Sequence, residues 1–309
     1  MKKMWLAFWG VILVSFAVLG WAGFRIYQEK PPIPNQIVTT DGSVVVPAGE
    51  VTEGQGVWRA MGGMQLGSVW GHGSYVAPDW TADYLHRESM FILDSWARRD
   101  YGGRAFEQLD SENQAVLRAR LKKLMRTNTY NEETGNILVD PIRARAYEHN
   151  LDYYTDLFTN GSEPYSIPAN TISDPARIRK LTSFFYWTSW AASTNRPGEN
   201  MSYTSNWPHE PLVDNKPTSD AIIWTGFSII MLLGGIGLLV WYHASRPREP
   251  IAQEIPQDDP LLNYKSTPSQ RAVVKYFWVV AGLFSFQILM GVITAHYGVE
   301  GLAFYGIPI

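Results

Sequence analysis

Residues 70–88, WGHGSYVAPDWTADYLHRE, join a glycine-rich turn to the start of a helix. The segment opens with small residues at 71–74 and is interrupted at Pro78. Asp79 follows, an acidic residue placed where it can cap a helix N-terminus. Beyond it, helical spacing is kept by Tyr84, Leu85, Glu88 and Ser89. The stretch therefore predicts a turn with free backbone carbonyls that leads directly into a capped helix.

Three apolar runs organise the rest of the chain, at residues 4–24, 221–242 and 276–295. A run of about 20 apolar residues is long enough for a helix to cross the ~30 Å hydrocarbon core of a bilayer, so three transmembrane helices are predicted. Basic residues precede the first run and fill the loop between the second and third. By the positive-inside rule both of these regions are cytoplasmic, and residues 28–217 lie outside. A cleaved signal peptide is the alternative for the first run, but the run is long and no Ala-x-Ala site follows it.

These boundaries divide the chain into six parts. They are the cytoplasmic N-terminus with the first transmembrane helix (1–27), an extracytoplasmic domain (28–217), the second transmembrane helix (218–243), a cytoplasmic loop (244–275), the third transmembrane helix (276–295) and an outer interfacial segment (296–309). The last segment ends on an apolar, aromatic run without a polar close, which suggests that the chain is interrupted there.

The extracytoplasmic domain is predicted to be mostly helical with one hairpin. The hairpin covers residues 37–46, where Asp41 and Gly42 supply a two-residue turn. Ser111 and Gln114 match a capping box, and the helix after it shows an apolar face made of Val116, Leu117, Leu121, Leu124 and Met125. Further elements are a helix with tight turns within 53–67, a mainly helical stretch at 104–126, a short strand or extended link at 136–139, and helices at 142–158 and 175–192.

Composition excludes several kinds of partner and site. The net charge of −3 gives no indication of a nucleic-acid partner. The absence of cysteine excludes disulfides, thiolate metal sites, iron–sulfur clusters and haem attached through C-x-x-C-H. Six histidines are present, but no two stand at i, i+4 within a span, and His72 and His86 lack a third ligand at zinc-like spacing. No histidine metal site is predicted within this chain.

Two pairs of residues could form functional sites, and each pair also has a purely structural interpretation. If the third helix continues one turn past Ala295, His296 and Glu300 share a face at the outer membrane boundary. They could accept the two hydroxyl protons of an aromatic diol such as a quinol, or they could simply cap the helix end. Gly73 and Tyr75 could offer oxygens to Ca²⁺, or they could belong to a tight turn packed on the following helix. The residues alone favour the plain reading of both.

The second span carries small residues that allow another helix to approach closely. They are Gly226, Gly234, Gly235 and Gly237. Such a face would suit a homodimer contact in the bilayer.

The motifs at residues 70–88 and at 206–211 (NWPHEP), with the third span, closely resemble the quinol-dependent nitric oxide reductases. These are fused, single-chain members of the haem–copper oxidase superfamily. The resemblance covers essentially the whole chain and implies a mostly α membrane protein. Residues 28–217 would form a cytochrome-c-like domain without haem c, its interior filled by the aromatic cluster at 184–190. It also implies quinol binding by His296 and Glu300, and Ca²⁺ binding by Gly73 and Tyr75.

The resemblance further implies the reduction of two NO to N₂O and water with two electrons and two protons. Haem b, haem b₃ and a non-haem iron would be held by helices beyond residue 309, so this segment alone would not be catalytic. Its partners would be the membrane quinol, NO, the remaining catalytic helix bundle and the lipid bilayer. It would lie in the bacterial inner membrane with residues 28–217 in the periplasm. The alternative is a non-catalytic, membrane-anchored periplasmic binding or accessory module.

Overall fold

A computed structural model describes residues 2–71, 73, 77–216, 218–245 and 265–299. Contacts divide the chain into two units, Met1–Pro217 and Thr218–Pro308, which are described separately.

Most helices and all the strands that the structure describes belong to the first unit. In chain order these are α1 (Lys2–Glu29), β1 (Ile37–Thr39), β2 (Val44–Val46), α2 (Glu50–Ala60), α3 (Trp80–Asp100), α4 (Ser111–Arg126), β3 (Tyr130–Asn131), β4 (Asn136–Val139), α5 (Pro141–Asn160) and α6 (Pro175–Ser193). Short 3-10 helices occur at Gly63–Leu66, Phe106–Gln108 and Pro211–Val213.

The four strands form one small sheet in the order β2-β1-β4-β3. β1 and β2 pair antiparallel across the Asp41–Gly42 turn, which confirms the predicted hairpin. β4 lies where a short strand was predicted, and it pairs parallel to β1 with Ile37 beside Ile137. Sequence periodicity does not reveal this second pairing because its partners lie far apart in the chain.

Four helices of the domain begin after an aspartate that accepts a backbone N–H of the first turn. The caps are Asp79 for α3, Asp110 for α4, Asp140 for α5 and Asp174 for α6. The predicted capping box at Ser111 and Gln114 is therefore wrong. Asp110 stands one residue earlier and accepts from Asn113 N at 2.9 Å, while the Gln114 amide donates to the carbonyls of Phe106 and Leu109. A carboxylate at this position also gains from the helix dipole, so it displaces the hydroxyl as the cap.

Aromatic rings fill the space between α3, α5 and α6. Trp80 of α3 stacks on Phe185 of α6 with ring centroids 5.3 Å apart, and Tyr84 stacks on Tyr186 at 5.6 Å. The aromatic side chains of the predicted cluster at 184–190 are all buried, as expected for a core filler; they are Phe184, Phe185, Tyr186, Trp187 and Trp190.

Helix α2 crosses α6 at a glycine. A Cβ on Gly54 would lie 1.9 Å from the Lys180 carbonyl oxygen and 2.8 Å from the Phe184 Cβ. Only a residue without a side chain allows this approach, because protein interiors are close-packed.

The predicted apolar face of α4 is correct in part. Leu117, Leu121 and Met125 are buried against the second half of α3. Val116 is 56% exposed, so its assignment to that face is wrong. It precedes Leu117 by one position, and neighbouring residues on a helix point about 100° apart.

The second unit holds two described helices, α7 (Ser219–Ser245) and α8 (Pro268–Val299). α8 begins eight positions before the predicted third span, since Thr267 and Gln270 form a reciprocal capping box there.

Two helices of the described chain, rather than the predicted three, are long and apolar enough to cross a membrane: Trp5–Glu29 and Pro268–Ile288. The predicted second span, at 221–242, is represented in the described residues by a shorter apolar helix, Gly226–Tyr242. α7 itself runs from Ser219 to Ser245, and several side chains near its two ends lie outside the described residues.

Candidate functional site

The turn that precedes α3 is built around the carboxylate of Asp79. Its Oδ2 accepts hydrogen bonds from the Ser68 hydroxyl at 2.6 Å and the Gly71 N–H at 2.8 Å, and its Oδ1 accepts the Ala82 N–H at 3.0 Å. Burial raises the pKa of Asp79 to about 6, against the opposing effect of these hydrogen bonds. One side chain therefore closes the turn and starts the helix.

Ser68 holds the other side of the same turn. Its hydroxyl oxygen accepts the Gly73 N–H at 2.6 Å, and its carbonyl accepts the Trp80 N–H at 2.8 Å. Gly73 has a φ of +87°, a conformation that favours glycine. The plain alternative for this glycine, a tight turn packed against the helix start, thus has direct structural support.

The two motifs that carry the resemblance meet in space. The Trp207 indole donates to the Gly71 carbonyl at 2.9 Å, across 136 residues of chain. The Trp70 indole donates to the Thr188 carbonyl of α6 at 2.9 Å, and its ring packs on Trp187 with centroids 5.3 Å apart. The prediction that the turn leaves its backbone carbonyls free is therefore wrong at Gly71, whose carbonyl is taken by a distant indole.

The loop that carries Trp207 is fixed by amide side chains. Asn206 Oδ1 accepts the Ser202 N–H at 2.9 Å and an Arg126 guanidinium N–H at 2.8 Å. The Asn215 amide donates to the Pro208 carbonyl at 2.7 Å. These contacts tie both ends of the loop together, so the loop presents Trp207 from a defined position.

His86 of α3 reaches the same loop. Its Nδ1 lies 2.9 Å from Glu210 Oε2, and Glu210 Oε1 accepts the Leu212 N–H at 3.0 Å. The hydrogen bond to Glu210 raises the pKa of His86. No partner for His86 is visible in the sequence because the two residues stand 124 positions apart.

Only part of the predicted Ca²⁺ site lies in the described residues. Gly73 is described, whereas Tyr75 and the neighbouring His72 lie outside the described residues. The described part of the chain holds no group of three or more His, Cys, Asp or Glu side chains able to bind a metal. Ca²⁺ takes about 6–8 oxygen ligands, and the Asp79 carboxylate beside Gly73 is already occupied by three donors. Ca²⁺ binding by Gly73 and Tyr75 stays a prediction.

The predicted quinol pair lies at the end of α8. The helix continues through Val299, so it does extend one turn past Ala295 as the pairing requires. The His296 side chain and the whole of Glu300 lie outside what the structure describes. Their juxtaposition remains a prediction.

A covalently attached haem does not fit this domain. The chain has no cysteine to attach it, and the space between α3, α5 and α6 is packed with rings such as those of Trp80, Tyr154 and Phe185. The residues present therefore do not fit a haem c.

The sequence analysis did not predict one buried ion pair of the domain. Glu88 of α3 and Arg143 of α5 are both buried and bonded to each other. A signal was present, because Glu88 keeps helical spacing with Tyr84 and Leu85, and a charged residue on an apolar helix face almost never lacks a partner. The identity of the partner has no local signature.

A comparison with family models gives one match. The model for the cytochrome c-like domain of NorB, a nitric oxide reductase subunit, matches residues 34–209. This range is more than half of the chain and contains the whole sheet, helices α2–α6 and the Gly71–Trp207 contact. No curated protein matches the chain.

Proposed function

The chain belongs to the NorB family of nitric oxide reductase subunits through its cytochrome c-like domain, and on that premise we propose that it is the N-terminal part of a quinol-oxidising nitric oxide reductase. The complete protein would reduce two NO to N₂O and water, taking two electrons and two protons. The present segment supplies the outer domain and part of the quinol site.

The observation that carries the quinol assignment is a cytochrome c-like domain without the means to hold haem c. The family match covers residues 34–209, yet the chain has no cysteine and aromatic rings fill the interior. Such a domain cannot receive electrons through its own haem. A small membrane-soluble reductant that reaches the catalytic helices directly is then the simplest donor, and a quinol has that character.

His296 and Glu300 are the residues we assign to the quinol. α8 continues past Ala295. If the helix also includes Glu300, the i, i+4 spacing puts both side chains on one face. At the outer membrane boundary an imidazole and a carboxylate can each accept a proton from a quinol hydroxyl. We assign Ca²⁺ binding to Gly73 and Tyr75 in the outer domain.

The remaining groups belong outside this segment. Haem b, haem b₃ and the non-haem iron would be held by the rest of the catalytic bundle and would carry the redox chemistry on NO. Two helices of the described chain are apolar enough to anchor the protein in the membrane, and we place the outer domain in the periplasm. A homodimer contact along the glycine face of α7 belongs to the same proposal.

The test compares two electron donors. In the complete enzyme, NO consumption is measured with a reduced quinol analogue and with an artificial donor, for the wild type and for His296→Ala/Glu300→Ala. We expect the double variant to lose most quinol-driven turnover and to keep most artificial-donor turnover. His243→Ala is the matched control, since it removes a histidine from α7 rather than from α8, and both activities should survive it.

Two results would argue against the proposal. Equal loss with both donors would mean that His296 and Glu300 are structural. Native protein that lacks b-type haem bands and consumes no NO would instead support the non-catalytic, membrane-anchored accessory module.

A further inference from the structure

A basic cleft lies between the C-terminal turn of α4 and the chain that follows α6. Its volume is about 820 Å³, and its lining includes five basic side chains, Lys122, Lys123, Arg126, Arg196 and Lys216, and one acidic one, Asp214. Its lining shares no residue with the turn around Asp79 or with the predicted quinol pair.

The one acidic side chain in the lining, Asp214, already forms ion pairs with two of the lysines. Asp214 binds both Lys122, at 2.6 Å, and Lys216, at 3.3 Å. The two lysine contacts hold the pKa of Asp214 below its usual value. A single carboxylate therefore serves two ammonium groups.

The hydrogen-bond partners of Arg126 among the described residues are all neutral, and Asp214 attracts it only at longer range. Its guanidinium donates to Asn215 Oδ1 at 3.1 Å, to the Asn200 carbonyl at 3.0 Å and to Asn206 Oδ1 at 2.8 Å. These oxygens orient the guanidinium without neutralising it. Lys123, one turn earlier, likewise has no carboxylate within 4.0 Å in the described part of the chain. The cleft thus carries positive charge that these residues do not compensate.

The C-terminus of α4 does not supply the missing negative charge. Two of its last carbonyls accept backbone N–H groups, since Thr127 N–H donates to Lys123 O and Asn195 N–H donates to Arg126 O. The Met125 carbonyl accepts the Thr194 hydroxyl at 3.1 Å. With these acceptors satisfied, little of the helix dipole is left to offset the two basic side chains.

The cleft lies beside the outer end of the first membrane helix. Arg196, in its lining, donates to Glu29 Oε2 at 2.8 Å, and Glu29 is the last residue of the candidate span Trp5–Glu29. Tyr27, two residues before that end, is exposed and has the Lys30 ammonium over its ring, 4.2 Å from the centroid. Tyrosines and lysines are typical of the layer where lipid headgroups meet water. If Trp5–Glu29 crosses the bilayer, the cleft lies at headgroup level.

We propose that this cleft binds a phosphate group, and that the phosphate is the headgroup of an anionic phospholipid in the outer leaflet. Arginine and lysine donors are the usual partners of phosphate oxygens. Arg126 is held in place by its three neutral acceptors, so it is ordered before the ligand arrives. The inference does not depend on the quinol site and would stand if the proposed function failed.

The test is calorimetric titration of the full chain in a neutral detergent. The ligands are dihexanoylphosphatidylglycerol below its critical micelle concentration, dihexanoylphosphatidylcholine and inorganic phosphate. We expect saturable binding of the phosphatidylglycerol, weaker binding of the phosphatidylcholine, and loss of affinity as salt is raised. Lys123→Gln should weaken phosphatidylglycerol binding about tenfold, which corresponds to one charge-assisted contact.

Arg104→Gln is the matched control, because it removes one exposed positive charge from the same domain outside the cleft. Arg126→Gln is the stronger variant, but Arg126 also supports the Asn206 loop; Lys123→Gln therefore decides the outcome if Arg126→Gln fails to fold. Binding of inorganic phosphate as tight as that of phosphatidylglycerol, and equally weakened by Lys123→Gln, would support a phosphate site filled from solution. Absent binding, equal affinity for both lipids, or equal effects of Lys123→Gln and Arg104→Gln would overturn the proposal.

Discussion

Arg143 and Glu88 form an ion pair inside the core of the outer domain. The Arg143 Nε donates to Glu88 Oε1 at 2.7 Å, and the two side chains are 4% and 0% exposed. The guanidinium also lies over the Tyr186 ring, 5.2 Å from its centroid. The pair joins α3 to α5 across the aromatic core.

Breaking this pair from one side should be costly. Glu88→Gln leaves a buried guanidinium without its counter-charge, and we expect the free energy of unfolding to fall by about 3–5 kcal/mol. Replacing both partners, as in Glu88→Leu/Arg143→Met, removes both desolvation penalties and should cost less than Glu88→Gln alone. Thermal unfolding of the full chain in detergent gives the order of the variants. A double variant less stable than Glu88→Gln would show that the ion pair itself stabilises the fold, and that the loss in the single variant does not come only from an unpaired buried charge.

The α2–α6 crossing predicts opposite effects for two glycines of one helix. Gly54→Ala would place a Cβ 1.9 Å from the Lys180 carbonyl oxygen, and forcing the helices apart should cost about 1–3 kcal/mol or more. Gly56 has nothing within 4 Å of the same added atom. Gly56→Ala should stabilise the helix by roughly 0.5–1 kcal/mol through propensity alone. Unfolding temperatures that move in the same direction for both would contradict the close approach.

The His86–Glu210 contact predicts a pH-dependent contribution to stability. Glu210 raises the pKa of His86 in the folded protein, so the folded state binds the proton more tightly than the unfolded state. The stabilisation is complete below the unfolded pKa of about 6.5 and disappears as pH rises through the higher folded value. Since His86 is 59% exposed, we expect less than about 1 kcal/mol.

Unfolding temperatures of the wild type and His86→Ala, measured across this pH range, test the contact. The difference should be largest at the acidic end and shrink as pH rises. Glu210→Gln keeps an oxygen for the Leu212 N–H but removes the charge, and it should abolish the same pH dependence. A difference between wild type and His86→Ala that is constant with pH would refute the assignment.

Loss of Ca²⁺ tests the predicted ligand Tyr75. Tyr75→Phe removes one oxygen of the ligand set and should increase Ca²⁺ loss during dialysis against a weak chelator, followed by elemental analysis. Tyr101→Phe, outside the turn, is the control and should retain the metal like the wild type. Unchanged metal content in Tyr75→Phe would reject the phenol as a ligand.

Local features of the fold are predictable from the sequence because their causes lie within a few residues. The Asp41–Gly42 turn sets the hairpin, and Asp79 starts α3 where it was expected. The capping box at Ser111 failed for an equally local reason, since Asp110 competes for the same N–H groups.

The connections between these elements are not encoded locally. The Gly71–Trp207 and His86–Glu210 contacts join residues more than 100 positions apart, and no periodicity in a single sequence pairs such positions. For the candidate site, the residues alone favour the plain alternatives, and only the family resemblance names Gly73, Tyr75, His296 and Glu300 as ligands. Only the turn around Gly73 and the extension of α8 past Ala295 are visible in the structure.

The parallel pairing of β1 with β4 constrains the order in which the domain can fold. β1 can pair with β2 as soon as both are made, but its other edge waits for β4 at Asn136–Val139, after α2, α3 and α4 have been synthesised. Closing so long a loop is slow, and an unpaired strand edge can associate with other chains in the meantime. In the proposed topology α1 enters the membrane first and holds the hairpin at its surface throughout this interval. Such tethering would keep the nascent hairpins apart and favour completion of the sheet over aggregation.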